Sequence, residues 1–160
     1  MIFLNACKNG QKGVVEAFIK KGGLDFNKRD SLGNSALFYA CMKGSKDIVK
    51  LLLSNGADSS LANNNSMTPL HAVSKSGNKE IISLLLNEGA YINATDKEGR
   101  TPLIYAARNR NASIGKEMAE LLFDFGNPKL EHVNNDGKSA LEIATDLNNE
   151  EFVKFLLTKM

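Results

Sequence analysis

The side chains in this chain that could do chemistry are few: Cys7, Cys41, His71, His132, scattered carboxylates, and a row of cations. That row, Lys8, Lys43, Lys75 and Arg108, recurs at nearly constant spacing. A metal site needs Cys, His or carboxylate ligands gathered at short intervals, and His132 has no Cys or His at such spacing. No glycine-rich loop followed by Lys-Ser or Lys-Thr is present to cradle a phosphate. Neighbouring acids such as Glu150 and Glu151 have the character of a solvated helix surface, not of an acid–base pair. The expectation is a protein that is not an enzyme, with no cofactor and no metal. The cations differ, because like charges repeated at one position can hold a partner of opposite charge. Asp146 interrupts the row at its end, and a solvated helix edge is the alternative reading of it.

The spacing of the cations is the spacing of the whole chain. The stretch Thr68–Arg100, TPLHAVSKSGNKEIISLLLNEGAYINATDKEGR, matches a stretch starting at Ser35 when shifted back by 33 residues and one starting at Thr101 when shifted forward by 33. A fixed period of 20–50 residues marks stacked repeats. The chain divides into units 1–34, 35–67, 68–100 and 101–138 and a half unit 139–160, one domain over 1–160. Each unit opens on Ser or Thr (Ser35, Thr68, Thr101, Ser139), good helix N-caps, and Pro69 and Pro102 suit the first helical position. Gly10, Gly44 and Gly77 then end a first helix. More apolar segments follow, such as IVKLLLSNG (48–56), IISLLLNEG (81–89) and MAELLFDFG (118–126), closed by Gly56, Gly89 and Gly126 as helix C-caps. These segments carry too many apolar positions for a helix with one wet face, so neighbouring units must cover them. A polar extended finger ends each unit, with Asp30, Asp96, Gly33, Gly99 and Gly137 recurring as turn residues. Cys7 and Cys41 fall at equivalent positions, too far apart to bridge, and read as small buried hydrophobes.

The residues Thr68-Pro69-Leu70-His71, Thr101-Pro102-Leu103, the Ile48–Leu53 helix, Gly56-Ala57-Asp58, Gly89-Ala90 and the Asp96…Gly99 turn identify the resemblance. Over essentially its whole length the chain resembles ankyrin repeat proteins. That resemblance implies an all-α repeat solenoid of stacked helix-turn-helix units with projecting β-hairpin-like fingers. It implies structural hydrogen bonds for His71, and a concave groove in which finger tips and first helices contact a partner protein. Carried over by position, the first helices offer Lys8, Met42, Lys43, Lys75 and Arg108, with Arg110 just beyond. The fingers offer Arg29, Leu32 and Asn34, then Asn64, Asn65 and Met67, then Lys97 and Arg100, then Lys138.

Departures from the pattern carry their own expectations. The first unit lacks Thr-Pro and the last stops within its second helix, as suits capping units with wetter outer faces. Ser66 stands where the other turns have Gly, so the second finger should be looser than its neighbours. The fourth unit has five extra residues. Four are expected between its helices, within 108–116, and one near Asn127-Pro128. They are either drift in a tolerant loop or a specificity element.

With 42% hydrophobic residues, 24% charged residues and a net charge of +2, the chain is neither disordered nor strongly basic. No apolar run approaches the roughly 20 residues that cross a bilayer. A cytoplasmic monomer is expected, with no membrane contact and with another protein as partner, and a partner with acidic segments would suit the basic row. Nucleic acid is the alternative partner, disfavoured by the near-neutral charge, the absence of Trp and the few aromatics free to stack. A regulatory segment of a larger protein is the third reading.

Overall fold

A computed structural model describes residues 2–160. Among them are ten helices: α1 Ile2–Lys8, α2 Lys12–Lys21, α3 Ala36–Lys43, α4 Lys46–Ser54, α5 Pro69–Ser76, α6 Lys79–Asn87, α7 Pro102–Ala107, α8 Ala112–Phe125, α9 Ala140–Asp146 and α10 Glu150–Leu157. No named strand occurs among the described residues. The fingers contribute only isolated antiparallel bridges, Arg29 to Ser35 and Val133 to Ser139. This is the all-α repeat solenoid that the period implies.

Local chemistry starts each unit where the sequence places it. The hydroxyls of Ser35, Thr68, Thr101 and Ser139 accept the backbone N–H of Phe38, His71, Ile104 and Glu142. First helices pack in one row (α1, α3, α5, α7, α9) and second helices in another (α2, α4, α6, α8, α10). One core runs from Leu4 to Leu156, with Ile48, Leu52, Ile81, Leu85, Met118, Leu122 and Phe152 fully buried between units. Cys7 and Cys41 are free and buried in it, and burial pushes the Cys7 thiol up to about 12.

His71 joins a first helix to the next unit boundary. Its Nδ1 accepts the Thr68 backbone N–H at 3.1 Å, so the ring proton sits on Nε2 and is donated to the Arg100 carbonyl at 2.9 Å. Burial lowers its pKa, against the pull of the Arg100 carbonyl and Asp96, and the ring stays neutral.

The structure bears on three expectations. The four extra residues of the fourth unit do not form a longer loop. α6 begins eleven residues past Thr68 and α8 eleven past Thr101, but α8 has 14 residues against 9. The insertion is an added helical turn at the start of α8, capped by Asn111 Oδ1, which accepts the Ile114 N–H at 3.1 Å. The added turn is packed tightly. Gly115 lies so close to α7 that a Cβ there would sit 2.4 Å from the Ala106 carbonyl oxygen, and Ile114 lies against Gly77.

Gly126 is the second, and it does cap α8, its N–H bonding back to the Leu122 carbonyl. Gly56 and Gly89 end their helices with φ of 87° and 80°, whereas Gly126 is extended at −175°. α8 runs on through Phe125, and the finger leaves it without a left-handed cap.

The turn of the second finger is bonded as its neighbours are. Ser66 takes the left-handed geometry of the glycines, with φ of 58°. Its turn bond to the Asn63 carbonyl, 2.9 Å, matches the 3.0 Å bond from Gly99 to Asp96.

Three outcomes follow. Gly115→Ala should destabilise the chain by about 1–3 kcal/mol through overpacking, although Ala is the better helix former. Gly13→Ala, in α2 with nothing near its added Cβ, should stabilise it; equal effects in urea melts would contradict the packing of the added turn. Ser66→Gly should raise Tm, since relieving left-handed strain is worth about 1 kcal/mol. A depressed folded-state pKa means that the unfolded chain binds the proton first, so the contribution of His71 is present above its ordinary 6.5 and is lost as pH falls below it. Wild type should lose more stability than His71→Gln between about pH 7 and 5.

Candidate partner-binding groove

The fingers form a continuous edge because each is tied to the one before it. At every turn one side chain accepts two backbone N–H groups. Asp30 Oδ1 takes those of Leu32 and Asn34, Asn63 those of Asn65 and Met67, Asp96 those of Glu98 and Arg100, and Asn134 those of Asp136 and Lys138. Successive tips are joined by backbone bonds, Asn64 N–H to Leu32 O at 3.1 Å, Lys97 to Asn65 at 3.1 Å and Asn135 to Glu98 at 2.9 Å. Gly33 serves both needs: its φ is 79°, and a Cβ there would sit 2.4 Å from Asn64 Oδ1. The groove wall is therefore a fixed surface.

Behind the third finger, Asp96 is the centre of a charged knot. Its side chain is fully buried. Oδ2 accepts from Arg100 Nε at 2.8 Å and from the Tyr105 hydroxyl at 2.6 Å. Burial alone would raise the Asp96 carboxyl, but the bonds from Tyr105 and Arg100 outweigh it and hold it below its ordinary value. Arg100 also reaches Glu98 at 3.0 Å and lies 5.1 Å over the Tyr105 ring. The first unit repeats the motif, with the Tyr39 hydroxyl donating to Asp30 and Lys8 lying 5.6 Å over the Tyr39 ring.

Two parallel rows of cations run along the solenoid, with opposite fates. On the second helices, each lysine near the start meets an acid of the next unit: Lys12 to Asp47 at 3.3 Å, Lys46 to Glu80 at 2.6 Å, Lys79 to Glu117 at 3.2 Å. On the groove side, Lys43, Lys75, Arg108 and Arg110 are exposed and have no ion-pair partner among the described residues. Lys138 is paired with Asp146.

Of the residues expected at the groove, Lys75, Arg100, Arg108, Arg110 and Lys138 are brought together. A pocket of about 380 Å³ between α5 and α7 is lined by Ser74, Lys75, Arg100, Tyr105, Arg108, Asn109 and Arg110. It shares Arg100, Arg108, Asn109 and Arg110 with a wider cleft of about 730 Å³ over α9. That cleft has Ile143 and Leu147 as its apolar lining and Glu98, Asp136 and Asp146 as its acids. Leu32, Asn64, Asn65 and Lys97 lie exposed along the finger edge, and Lys8, Met42 and Lys43 on the first helices at the other end. Met67 is half-buried against the core. Arg29 is exposed but spends Nη1 on the Ala62 carbonyl at 3.1 Å.

Asn34 leaves the candidate surface. It is 7% exposed, and its amide donates to Tyr39 and accepts from Asn63. Arg100 lines the pocket, but its bonding to Asp96 and Glu98 leaves it a wall more than a free hand.

Ser74, Tyr105 and Ile143 were missed from the sequence. The signal for Tyr105 was available, because Tyr39 and Tyr105 each follow a turn aspartate by nine residues. Chemically the groove can capture and orient anions. Both nitrogens of His71, which donates to the Arg100 carbonyl, are already engaged, and His132 Nε2 lies 2.8 Å from the Gly99 carbonyl. Among the described residues no three His, Cys, Asp or Glu side chains are grouped as metal ligands, and no helix is long and apolar enough to cross a membrane.

Comparison with known proteins agrees with this geometry. A family profile for ankyrin repeats matches in three copies, over residues 3–96, 55–128 and 92–160. An ankyrin repeat protein of Acanthamoeba polyphaga mimivirus is 36% identical over 76 residues, 48% of this chain and 10% of that protein. An ankyrin repeat protein of fowlpox virus is 42% identical over 66 residues, 41% of this chain and 14% of that protein. The human BCL-6 corepressor-like protein 1 is 36% identical over 66 residues, 41% of this chain and 4% of that protein. The matches therefore span a small part of each relative's length. With the profile spanning nearly the whole sequence, the chain belongs to the ankyrin repeat family, whose repeats are generally protein–protein interaction modules.

Proposed function

We propose that this chain is a non-catalytic adaptor-type module that binds a partner protein along its concave groove and favours partners with acidic segments. The observation that carries the reading is the contrast between the two cation rows. Lys12, Lys46 and Lys79 each meet an acid of the next unit, whereas Lys43, Lys75, Arg108 and Arg110 meet none among the described residues. Unneutralised like charges raise the positive potential of the groove and steer acidic surfaces toward it. Leu32 and Met42, 62% and 54% exposed, add apolar contacts at the other end. Stacked units and zipped fingers hold this surface in place, so a partner binds with little ordering cost on this side.

The setting that fits best is a monomer in the cytoplasm. The relatives carry their matching repeats within much longer polypeptides, which is compatible with a regulatory segment as well as with an independent adaptor. The triple variant Lys43→Glu, Lys75→Glu, Arg108→Glu should keep the parent's melting profile. It should lose at least about tenfold in affinity for acidic protein partners at low salt, with the difference shrinking as salt screens the charges. Unchanged binding at low salt by a folded variant would remove the cation row from the account. Steeply salt-dependent binding to DNA or RNA, stronger than to any protein, would move the function to nucleic acid.

A further inference from the structure

We propose that the pocket between α5 and α7 is the anchor of the groove and takes a doubly charged oxyanion carried by a partner protein, either a phosphorylated side chain or two adjacent carboxylates. The inference rests on the protein-binding reading above and assigns that partner's anchoring chemistry.

Charge selects the ligand class. Lys75, Arg108 and Arg110 line this pocket without an ion pair, and no acidic side chain lines it. The fourth cation, Arg100, is already matched by Asp96 and Glu98. One carboxylate would leave most of the remaining charge uncompensated. A group with two charges and several acceptor oxygens can engage both guanidiniums and the ammonium, and planar guanidiniums suit phosphate or paired carboxylates.

The inserted turn makes the pocket a built feature. At the position where the third unit has Gly77, the fourth has Arg110. The segment bearing Arg108 and Arg110 is held at both ends. Asn109 Oδ1 accepts the Asn111 N–H at 2.9 Å, Asn111 caps α8, and Gly115 seats the helix against Ala106. The back wall is equally fixed, since the Tyr105 hydroxyl is committed to Asp96. Beyond the shared residues the wider cleft offers no unpaired cation among the described residues: Lys138 is matched by Asp146 and Asp136 is a free acid, around the apolar Ile143 and Leu147. A bound segment is thereby oriented, its anionic group over α5 and α7 and an apolar, uncharged portion over α9.

The test is an NMR titration of the full chain with three blocked peptides, Gly-phosphoserine-Gly, Gly-Glu-Glu-Gly and Gly-Glu-Gly, reading backbone amides and arginine Nε–H. The first two should shift Lys75, Tyr105 and Arg108–Arg110 and bind at least about fivefold tighter than the third. Arg108→Gln with Arg110→Gln should weaken both by about tenfold or more, while Lys20→Gln, on α2, should change nothing. Phosphopeptide binding that strengthens between about pH 5.5 and 7.5, with Glu-Glu binding flat, would name phosphate as the source, because its second proton leaves near 6. Tighter binding of the Glu-Glu peptide than of the phosphopeptide at about pH 7.5 would name the carboxylate pair, and either supports the site. Shifts spread evenly over all exposed lysines, or affinities indifferent to the double variant, would overturn it. An authentic partner that tolerates the double variant but is lost on Leu32→Asp with Met42→Glu would overturn this anchor and leave the groove reading standing.

Discussion

Every feature of this molecule depends on one constraint: no unit can bury its second helix alone. Ile48, Leu52, Ile81, Leu85, Met118 and Leu122 are sealed by their own first helix and by neighbours on both sides. Stability is therefore close to a sum of nearest-neighbour interfaces. Burying one such leucine contributes on the order of 2–3 kcal/mol. The same stacking that closes the core fixes the pitch between first helices and brings each finger within hydrogen-bonding distance of the last. The groove is a by-product of that pitch. Its side chains are held in register by that core, against which Met67 and Ile143 also pack.

Within this frame, electrostatics divides the surface by task. The lysine–acid pairs between second helices are exposed and add little to stability. Their value is in showing that the lysines near the starts of α2, α4 and α6 each receive a counter-charge from the next unit. The buried Asp96 knot shows the same economy inside, with Tyr105 and Arg100 satisfying a carboxylate that burial alone would protonate more readily. Against that background the unmatched cations of the groove, and their concentration beside the inserted turn, are the feature that distinguishes this solenoid's surface.

Much of this was legible in the sequence because period and capping are local signals. Ser or Thr at each unit start, Pro69 and Pro102, and the recurring glycines locate the helices without any knowledge of packing. The misreadings share one cause, namely that tertiary contact decided among local options. Arg108–Lys116 reads as a loop, yet Ile114 against Gly77 and Gly115 against Ala106 give an extra turn somewhere to pack. Gly126 does cap α8, yet in an extended geometry that its place in the sequence does not announce. Ser66 reads as a weak turn, yet the bonds between adjacent tips hold it in left-handed geometry. Asn34 falls at a finger position but turns inward, because Tyr39 and Asn63 are there to bind its amide. For the groove, the row of cations was visible in sequence. Which of them would find partners was not, since Lys138 meets Asp146 only once α9 is in place.

The central claim is that Lys75, Arg108 and Arg110 of the groove are electrostatically unmatched while Lys12, Lys46 and Lys79, at the starts of second helices, are matched. Local potential can be measured residue by residue from amide relaxation caused by anionic and cationic paramagnetic cosolutes at low salt. The account predicts strong accumulation of the anionic cosolute around Lys75 and Arg108–Arg110 and near-neutral behaviour around Lys12, Lys46 and Lys79. Equal potentials along the two rows, or a more positive second-helix row, would contradict it.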